Sequence, residues 1–381
     1  MLKLIKRNFS KVEMPKPLEK YKKLIKESEY VIEELFPKNI KTREEFTNYA
    51  STSTISPNIT LKGKIPLDSI NAAVFTPCWD LLRRGGKKWR PIFGLILADY
   101  YNLEISDIKK NINLYKLLAL TELIHNASLI IDDVEDKSEQ RRDEPCVHIK
   151  YGEDVSINAG ISMLYFPIFR LITQLQDEEL KNKISRIYLE EMTAIHIGQG
   201  WDIEMKVGNR IPTVENYKDT VICKTGVCLR LVVKLINALI PNVSSEYKEM
   251  IDIADNISIA FQIKDDLLNI SDSVLSKGKG FVGEDIWEGK LTLMVIHTLS
   301  SNNGSRLREI LSMKTKDQKL INEAIEIMRE NKSIMFADNI MKEHMNQALT
   351  KCEKLKQSQK YNKEAVESLQ ALVYYLIDRN I

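Results

Sequence analysis

The sequence is short of the features that mark several broad classes of protein. Its 55 Lys and Arg residues nearly cancel its 53 Asp and Glu residues, and the net charge of +2 gives no strongly basic surface for nucleic acid. Its 5 Cys residues form no CxxC pair and have no His at zinc spacing, so neither a disulfide framework nor a zinc site is indicated. The longest nearly uncharged apolar run, residues 159–169, is far shorter than the ~18 residues of a membrane helix. We therefore expect a protein that binds no nucleic acid and has no transmembrane segment.

The first 65 residues differ in composition from the rest of the chain. The N-terminus is basic but has no apolar stretch of signal-peptide length, so we expect a cytoplasmic protein, with an organelle-targeting N-terminus as the less favoured alternative. Apolar residues at helical spacing predict an amphipathic helix over 19–35, and Ser, Thr and Asn predict a flexible segment over 47–64. This indicates an N-terminal helix and flexible Ser/Thr-rich segment over 1–65 and a helical domain over 66–381.

Helix-breaking residues are scarce in the second half of the chain. No proline follows Pro241, and no glycine follows Gly304. Strand-like alternation with hairpin dipeptides is nearly absent, and there is no repeat of 20 to 50 residues. These patterns predict an all-α fold, a single large helical bundle, in which a ligand would be held by side chains projecting inward from facing helices.

The most informative segment contains two acidic residues one helical turn apart. Asp132 and Asp136 lie on one face of a helix, whereas Asp133 points away from that face. Two such carboxylates repel each other unless a cation lies between them, and they follow an apolar run over 117–131 that is typical of a buried helix. A solvated helix end is the alternative for this motif taken alone.

A second acidic segment has the same spacing. Asp265 and Asn269 lie one turn apart, again after an apolar run over 257–261. Two such segments on buried helices predict a shared cavity, and oxygen ligands of this kind suit Mg²⁺, which is usually held by one or two carboxylates together with substrate phosphates. Two unrelated surface pairs are the alternative.

Basic residues lie near both acidic segments. Arg binds phosphate through two parallel hydrogen bonds and Lys binds it as a point charge, so a mixture of the two suits a diphosphate. Each residue taken alone is equally typical of a solvated surface. The candidates are Lys87, Arg90, Arg141, Arg142, Lys224 beside Thr225, Lys279 and Lys290.

Taken together, these segments resemble the trans-prenyltransferases of the short-chain isoprenyl diphosphate synthase family, over about residues 70 to 375. Several motifs in the family's order are highly specific, although a DDxxD motif alone is not. The matching segments are GGKKWRP at 85–91, DDVED at 132–136, RR at 141–142, KT at 224–225, FQIKDD at 261–266 and EGK at 288–290.

The resemblance implies a fold, a reaction and a set of ligands. It implies a single large isoprenoid-synthase-type bundle with a central cavity, found as a homodimer. The reaction is the condensation of isopentenyl diphosphate with an allylic diphosphate (dimethylallyl, geranyl or farnesyl), which releases pyrophosphate. Three Mg²⁺ ions are implied, with Asp132, Asp136 and Asp265 as ligands, and Lys224 is counted with them as catalytic.

The resemblance also assigns the two diphosphate sites. For His125, a capped core histidine is the alternative to a phosphate ligand. Residues implied for the allylic diphosphate are Arg141, Lys224, Thr225, Gln262, Lys279 and Lys290. Residues implied for isopentenyl diphosphate are Lys87, Arg90, His125 and Arg142.

Product length is predicted from side-chain size. Ala127 and Ser128, one turn before Asp132, are small and leave a passage open, which resembles the geranylgeranyl diphosphate synthases. A deeper stop is then needed, and Tyr165 and Phe166 are the candidates together with His196, although the two aromatic residues are equally typical of a core. Geranylgeranyl diphosphate is the expected product, and farnesyl diphosphate is left open as a second one.

Departures from the family pattern and two other functions remain open. The segment RRDEP at 141–145 replaces RRGKP and places two acids near the diphosphate mouth, which leaves an altered substrate affinity open. A class I terpene cyclase would use the same ionisation chemistry but would leave the second diphosphate pocket idle. A non-catalytic partner subunit would normally have lost one acidic motif. Both functions are less favoured than a synthase.

Overall fold

The fold is a bundle of α helices with almost no strand structure. The computed structural model describes residues 14–50, 66–208, 210–241, 246–271, 282–301, 304–358 and 360–377. In the first part of that range the helices are α1 (Glu19–Glu27), α2 (Tyr30–Leu35), α3 (Arg43–Ala50), α4 (Leu67–Ile70), α5 (Thr76–Arg83), α6 (Trp89–Tyr100), α7 (Ile112–Glu135), α8 (Val147–Tyr151), α9 (Glu153–Gln174) and α10 (Glu178–Val207).

The second part continues in the same way, and the all-α prediction is confirmed. Its helices are α11 (Val214–Lys224), α12 (Val227–Ala238), α13 (Tyr247–Asn269), α14 (Glu284–Glu288), α15 (Leu293–Leu299), α16 (Ser305–Met313), α17 (Gln318–Glu330), α18 (Ser333–Leu355) and α19 (Lys363–Ile377). Shorter described elements are a 3-10 turn (Lys16–Leu18), a π-helical turn (Asn71–Phe75) and a hairpin of strands β1 (Gln140–Arg141) and β2 (Glu144–Pro145).

Two long pairs of helices form the centre of the bundle. α7 packs along α9, and α13 packs along α18. Both α7 and α9 have the length and hydropathy of a membrane span, but 72% and 50% of their apolar windows are buried inside the bundle. Packing within the protein therefore accounts for most of the apolar surface of α7, whereas half of the apolar window of α9 is not buried.

The described part of the N-terminal segment packs onto the same core. The helix predicted over 19–35 is divided into α1 and α2, and Tyr21, Val31 and Phe36 are fully buried. The indole Nε1 of Trp79 donates a hydrogen bond to the carbonyl of Pro37 at 2.9 Å. The border placed at residue 65 therefore does not separate two cores. Most of the predicted flexible segment, residues 51–65, lies outside the described residues.

Candidate active site

The ends of several core helices surround one deep cavity. It has a volume of about 290 Å³ and is lined mainly by α7, α10, α11, α13 and α14. Most of the residues chosen from the sequence meet there, although they are far apart along the chain. Those that line the cavity are Arg90, His125, Ser128, Asp132, Asp136, Arg141, His196, Lys224, Thr225, Gln262, Asp265 and Lys290.

Five other residues chosen from the sequence do not line the cavity. Lys87 is exposed, and its ammonium lies 5.9 Å from the centre of the Tyr375 ring. Arg142 is half-buried just outside the cavity, where its Nη1 donates to the carbonyl of Leu81 at 3.2 Å. The remaining three, Ala127, Tyr165 and Phe166, are described below. Lys279 lies outside the described residues.

The cavity wall carries more negative than positive charge. Nine described carboxyl side chains line it, against four Lys and Arg side chains. Carboxylates held close together in a partly buried space repel one another, and that repulsion is relieved by cations or by protonation of some of the carboxylates. The acidic residues are Asp132, Glu135, Asp136, Asp202, Asp265, Asp266, Glu284, Asp285 and Glu288.

Asp132, the first carboxylate on α7, is paired with a lysine from α11. The ammonium of Lys224 lies 3.0 Å from Asp132 Oδ1 and 2.7 Å from Asp202 Oδ2. Burial would raise the pKa of Asp132, but the ammonium groups of Lys224 and Lys290 outweigh it and hold that pKa far below its usual range. Burial likewise opposes the charge on Lys224, while Asp132 and Asp202 together raise its pKa. The site therefore holds a fixed ion pair at neutral pH.

A glycine allows α10 and α11 to approach closely enough to form this arrangement. A Cβ on Gly198 would lie 2.6 Å from backbone atoms of Cys223 and of Lys224, whereas one on Gly200 would meet nothing within 4 Å. Between the two glycines, the amide of Gln199 donates to Asp132 Oδ1 at 3.3 Å. Because Gly198 has no side chain, the backbone of α11 at Lys224 can lie close to α10, and this determines how far Lys224 reaches into the cavity.

Asp136, the second carboxylate on α7, is paired with Lys206 in the last turn of α10. Their side chains are 5% and 12% exposed, respectively. Neither Lys206 nor Asp202 is among the residues predicted from the sequence. Asp202 and Lys206 lie four residues apart on α10, so their spacing already placed an acid and a base on one helical face.

On α13, the side chains of the second acidic segment are arranged differently from the prediction. Asp265 lines the cavity as predicted, but the buried partner beside it is Asp266. Tyr217 Oη donates to Asp266 at 2.7 Å and Gln262 Nε2 donates to it at 2.9 Å. Burial and the nearby Asp285 raise the pKa of Asp266.

Asn269 does not face the cavity with Asp265. Its side chain is buried, and its Oδ1 accepts a hydrogen bond from the backbone amide of Asp285 at 3.2 Å, while its own carbonyl accepts one from Gly283. Asn269 thereby fixes the start of α14 to the end of α13. Of the predicted pair, Asp265 therefore lines the cavity, whereas Asn269 connects α13 to α14.

The segment EGK brings a further acid and base to the cavity. The ammonium of Lys290 lies 3.6 Å from Asp285 Oδ1. Burial disfavours the charge on Lys290, yet Asp285 and Glu288 raise its pKa well above the usual value. Burial raises the pKa of Glu288, and Lys290 offsets part of that effect. Lys290 is thus a buried, permanently charged cation among carboxyl groups.

The other end of the cavity is cationic. Arg90 is buried, and burial together with Arg90, Arg142 and Arg141 lowers the pKa of His125 well below its usual value. The imidazole is therefore neutral in a group of arginines, which suits hydrogen bonding to an anion. The guanidinium Nε of Arg141 donates to Asp133 Oδ1 at 2.9 Å. Asp133 is fully buried and does not line the cavity, as its position on the helix predicted.

Tyr165 and Phe166, which were predicted to form the floor of the passage, do not line the cavity. Tyr165 is 51% exposed on the outer side of α9, and Phe166 packs edge-on against Tyr49 with ring centroids 5.9 Å apart. Leu164 lines the cavity instead. Because successive residues on a helix point about 100° apart, an inward Leu164 turns Tyr165 outward in this chain. Ala127 is fully buried behind the wall.

The donor set fits Mg²⁺ that arrives together with a diphosphate. The carboxyl oxygens around the cavity are hard ligands, and the excess of negative charge favours cations. Among the described residues, no three Asp, Glu, His or Cys side chains converge on a ready-made metal position. Mg²⁺ is usually bound through one or two carboxylates and substrate phosphates, so a preformed cage is not required.

The structure is thus an all-α bundle whose cavity is lined by carboxylates paired with lysines and by Arg90 and Arg141. A profile of the family described as polyprenyl synthetase matches residues 71–328, which is more than half of the chain. The protein belongs to that family, a family of prenyltransferases.

Relatives and solved structures agree with this assignment. The chain is 37% identical over 224 residues to a geranylgeranyl pyrophosphate synthase of Clitopilus passeckerianus, covering 58% of this chain and 63% of that protein, so it matches less than two thirds of that relative's length. It is 32% identical over 282 residues to the geranylgeranyl pyrophosphate synthase of Dictyostelium discoideum, covering 73% of this chain and 88% of that one.

The chain also shares the fold of a Caulobacter crescentus polyprenyl synthase that was solved with calcium and isoprenyl diphosphate. The TM-score is 0.71, and the two chains are 17% identical over 96% of this chain and 98% of that one.

Proposed function

We propose that the protein condenses isopentenyl diphosphate with an allylic diphosphate, releasing pyrophosphate, and that geranylgeranyl diphosphate is its main product. The observation that carries this proposal is the division of one cavity into an acidic wall around Asp132 and Asp265 and a cationic end around Arg90 and His125. Two differently charged regions at one cavity suit two diphosphate substrates. The names of the Clitopilus and Dictyostelium relatives favour the twenty-carbon product.

The acidic wall is proposed to hold the allylic substrate through Mg²⁺. Asp132, Asp136 and Asp265 would be its protein ligands, and three ions are proposed. When bound, the metal would withdraw charge from the departing diphosphate as a Lewis acid. The chain's own contribution is to hold these carboxylates ionised, which Lys224 does by lowering the pKa of Asp132.

Basic and polar groups beside this wall are proposed to hold the allylic diphosphate directly. Lys224 and Lys290 carry permanent charge there, and Arg141 is held at its guanidinium by Asp133. Thr225 Oγ1 donates to Gln262 Oε1 at 2.9 Å, which orders both side chains at the cavity wall. Lys279 stays a sequence-based candidate.

The cationic end is proposed to hold isopentenyl diphosphate. Arg90 and His125 line the cavity, whereas the half-buried Arg142 and the exposed Lys87 do not line it and are included as sequence-based candidates. The neutral His125 would donate one hydrogen bond, and the arginines would supply charge. We therefore favour a phosphate ligand over a capped core histidine for His125, because a core histidine would not line a cavity beside arginines.

The reaction then needs positioning and electrostatic stabilisation rather than a side-chain nucleophile. The allylic carbon–oxygen bond breaks and its electron pair leaves with pyrophosphate. The double bond of isopentenyl diphosphate, held about 3 to 3.5 Å away, forms the new carbon–carbon bond. A proton is lost from the adjacent carbon, and we propose a pyrophosphate oxygen as its acceptor. Fixed cations around the pyrophosphate lower the barrier because they are already oriented before reaction.

The length of the product is proposed to be set by the inner wall of the cavity. Ser128 is small and lies one turn above Asp132, while Leu164, Ile195 and His196 line the same cavity from α9 and α10. The imidazole Nδ1 of His196 is 2.8 Å from the carbonyl of Met192, which fixes the ring. The lengthening hydrocarbon would pass Ser128 and stop against this wall.

We also propose a homodimer formed through the outer face of α9 and α10. Large apolar side chains lie there at intervals of four or eight residues, a spacing that places them on one side of each helix. Contiguous exposed apolar surface of this kind is typical of protein–protein contacts. The residues are Ile157, Ile161 and Tyr165 on α9 and Leu189, Ile197 and Trp201 on α10.

Sedimentation at micromolar concentration tests the dimer. The wild-type protein is expected to sediment at twice the chain mass, and Ile161→Glu to sediment as a folded monomer. Met335→Glu is the control, since Met335 is also exposed but lies on α18, away from this face. A monomeric wild type would contradict the proposal.

The activity is tested with purified protein, Mg²⁺, labelled isopentenyl diphosphate and each of the three allylic diphosphates. Products are dephosphorylated and separated by chromatography. A twenty-carbon alcohol is the expected result. A cyclic hydrocarbon made without isopentenyl diphosphate would establish a terpene cyclase instead, and no turnover with any primer would favour a non-catalytic partner subunit.

A further inference from the structure

The two arginines after the first acidic motif lie in a hairpin with an unusual turn. β1 and β2 pair antiparallel, with Gln140 opposite Pro145 and Arg141 opposite Glu144, so the turn consists of Arg142 and Asp143. Both turn residues have positive φ, 55° and 62°. A two-residue turn of this kind favours Gly or Asn, because a Cβ crowds the backbone at positive φ. The hairpin therefore needs support from outside itself.

Arg84, at the end of α5, provides that support from a buried position. Its side chain is 2% exposed, and its Nη1 donates to the carbonyl of Arg141 at 2.9 Å and approaches the carbonyl of Glu144 at 3.5 Å. One guanidinium thus contacts the backbone of both strands. The same group lies 3.4 Å from the carboxylate of Asp80 and 3.7 Å from that of Glu144.

These contacts account for Glu144, an acid at a position where the family pattern RRGKP has a lysine. The carboxylate of Glu144 faces Arg84 and Lys150, whose ammonium lies 3.4 Å from Glu144 and 2.5 Å from Asp80. Glu144 does not line the cavity. Its negative charge therefore strengthens the attachment of the hairpin to α5 and α8 and does not enter the diphosphate mouth.

The attachment fixes both arginines of the hairpin. Arg141 is held at its carbonyl by Arg84 and at its guanidinium by Asp133, so it is fixed at both ends. Arg142 donates to the carbonyl of Leu81 on the same helix that carries Arg84. Movement of the hairpin away from α5 would therefore displace both guanidinium groups.

We propose that Arg84 is a positioning residue for diphosphate binding: it holds the strained Arg142–Asp143 turn against α5, so that Arg141 and Arg142 are presented to the two substrates. This inference rests on the proposed function. It assigns Arg84 no contact with substrate. Its effect is expected on substrate binding rather than on the chemical step, since it acts through the placement of other groups.

The test compares Arg84→Met with Arg83→Met, whose exposed side chain lies one residue earlier on α5. Steady-state kinetics are measured for both substrates, together with the melting temperature. Arg84→Met is expected to raise KM for isopentenyl diphosphate and for the allylic diphosphate about tenfold, with kcat changed less than threefold, while Arg83→Met leaves all constants unchanged. Unchanged KM values in a folded Arg84→Met protein would overturn the proposal.

A second substitution separates positioning from a general loss of stability. Asp143→Gly places glycine at φ 62°, where it is unstrained, so the turn should hold its shape without Arg84. Adding Asp143→Gly to Arg84→Met is expected to recover at least threefold in KM. No recovery would mean that Arg84 does not act through the turn. If Arg84→Met does not fold, Asp80→Asn, which weakens the ion pairs of Asp80 with Arg84 and Lys150 but keeps the Arg84 guanidinium, is measured in the same way.

Calorimetric titration with inorganic pyrophosphate and Mg²⁺ distinguishes this inference from the proposed function. Weaker pyrophosphate binding by Arg84→Met than by Arg83→Met supports positioning whether or not prenyl transfer occurs. Equal binding by the two variants overturns the positioning role alone. A wild type that binds pyrophosphate but makes no prenyl product overturns the proposed function and leaves the positioning role standing.

Discussion

Replacing Asp132 by Asn removes a charge from the acidic wall without changing the size of the side chain. At 3.0 Å, Asp132 and Lys224 attract each other by about 1.4 kcal/mol in water and by about 5.5 kcal/mol at an effective dielectric constant of 20. A divalent cation doubles the charge that the carboxylate meets. After the desolvation cost is subtracted, we expect a loss of about 4 kcal/mol of transition-state stabilisation, or about a thousandfold in kcat/KM.

The same substitution should leave the fold nearly intact. Lys224 keeps Asp202 as a partner at 2.7 Å, and eight other carboxyl groups remain around the cavity, so losing one charge also relieves repulsion. These two effects oppose each other. We expect the free energy of unfolding without Mg²⁺ to change by less than about 1 kcal/mol, a small value for a substitution near a core. Urea denaturation measures this change.

The assay is incorporation of labelled isopentenyl diphosphate over a range of Mg²⁺ concentrations. Glu139→Gln is the control, because Glu139 is an exposed acid that follows α7 and pairs with Lys316 outside the cavity. It should retain wild-type turnover. An Asp132→Asn enzyme within tenfold of the wild type at saturating Mg²⁺ would refute the assignment of Asp132 as a metal ligand.

Three further substitutions test other parts of the cavity. Lys206→Met leaves a buried carboxylate without its lysine, and we expect it to lower the free energy of unfolding by about 3 kcal/mol in chelator, with Mg²⁺ restoring part of the loss in the same denaturation assay. Gly198→Ala forces α10 and α11 apart and should lower stability by about 1 to 3 kcal/mol and reduce turnover, whereas Gly200→Ala should do neither; equal effects would contradict the packing argument. Leu164→Ala should lengthen the products seen by chromatography while Tyr165→Ala should not, and the reverse result would place the floor on the outer face of α9.

The helical character of the chain was readable from local pattern. Helix formation depends on spacing over a few residues, so the scarcity of Pro and Gly and the apolar periodicity were enough to predict the bundle. For the same reason, the four-residue spacing of Asp132 and Asp136 placed both carboxylates on one face. Asp133 was correctly excluded from that face because it lies about 100° around the same helix.

The residues that pair with those carboxylates could not be predicted from spacing along the sequence. Lys206 and Asp202 lie about seventy residues from the acidic motif along the chain, and they come near it only because α7 and α10 border the same cavity in the folded bundle. Asn269 looked equivalent to an acidic ligand, yet its amide bonds to the start of α14. A side chain's neighbours depend on how helices are packed, and spacing within one helix carries no information about that.

The sequence by itself determined the all-helical fold, the faces on which the acidic residues lie and, through its motifs, the resemblance to prenyl diphosphate synthases. Only the tertiary structure decided that Lys224 pairs with Asp132 and Lys206 with Asp136, that Leu164 rather than Tyr165 faces the cavity, and that Glu144 turns its charge toward Arg84. The physical reason is one of range: helical periodicity is fixed by adjacent residues, whereas charge pairing and cavity lining depend on contacts between helices that are distant in the chain.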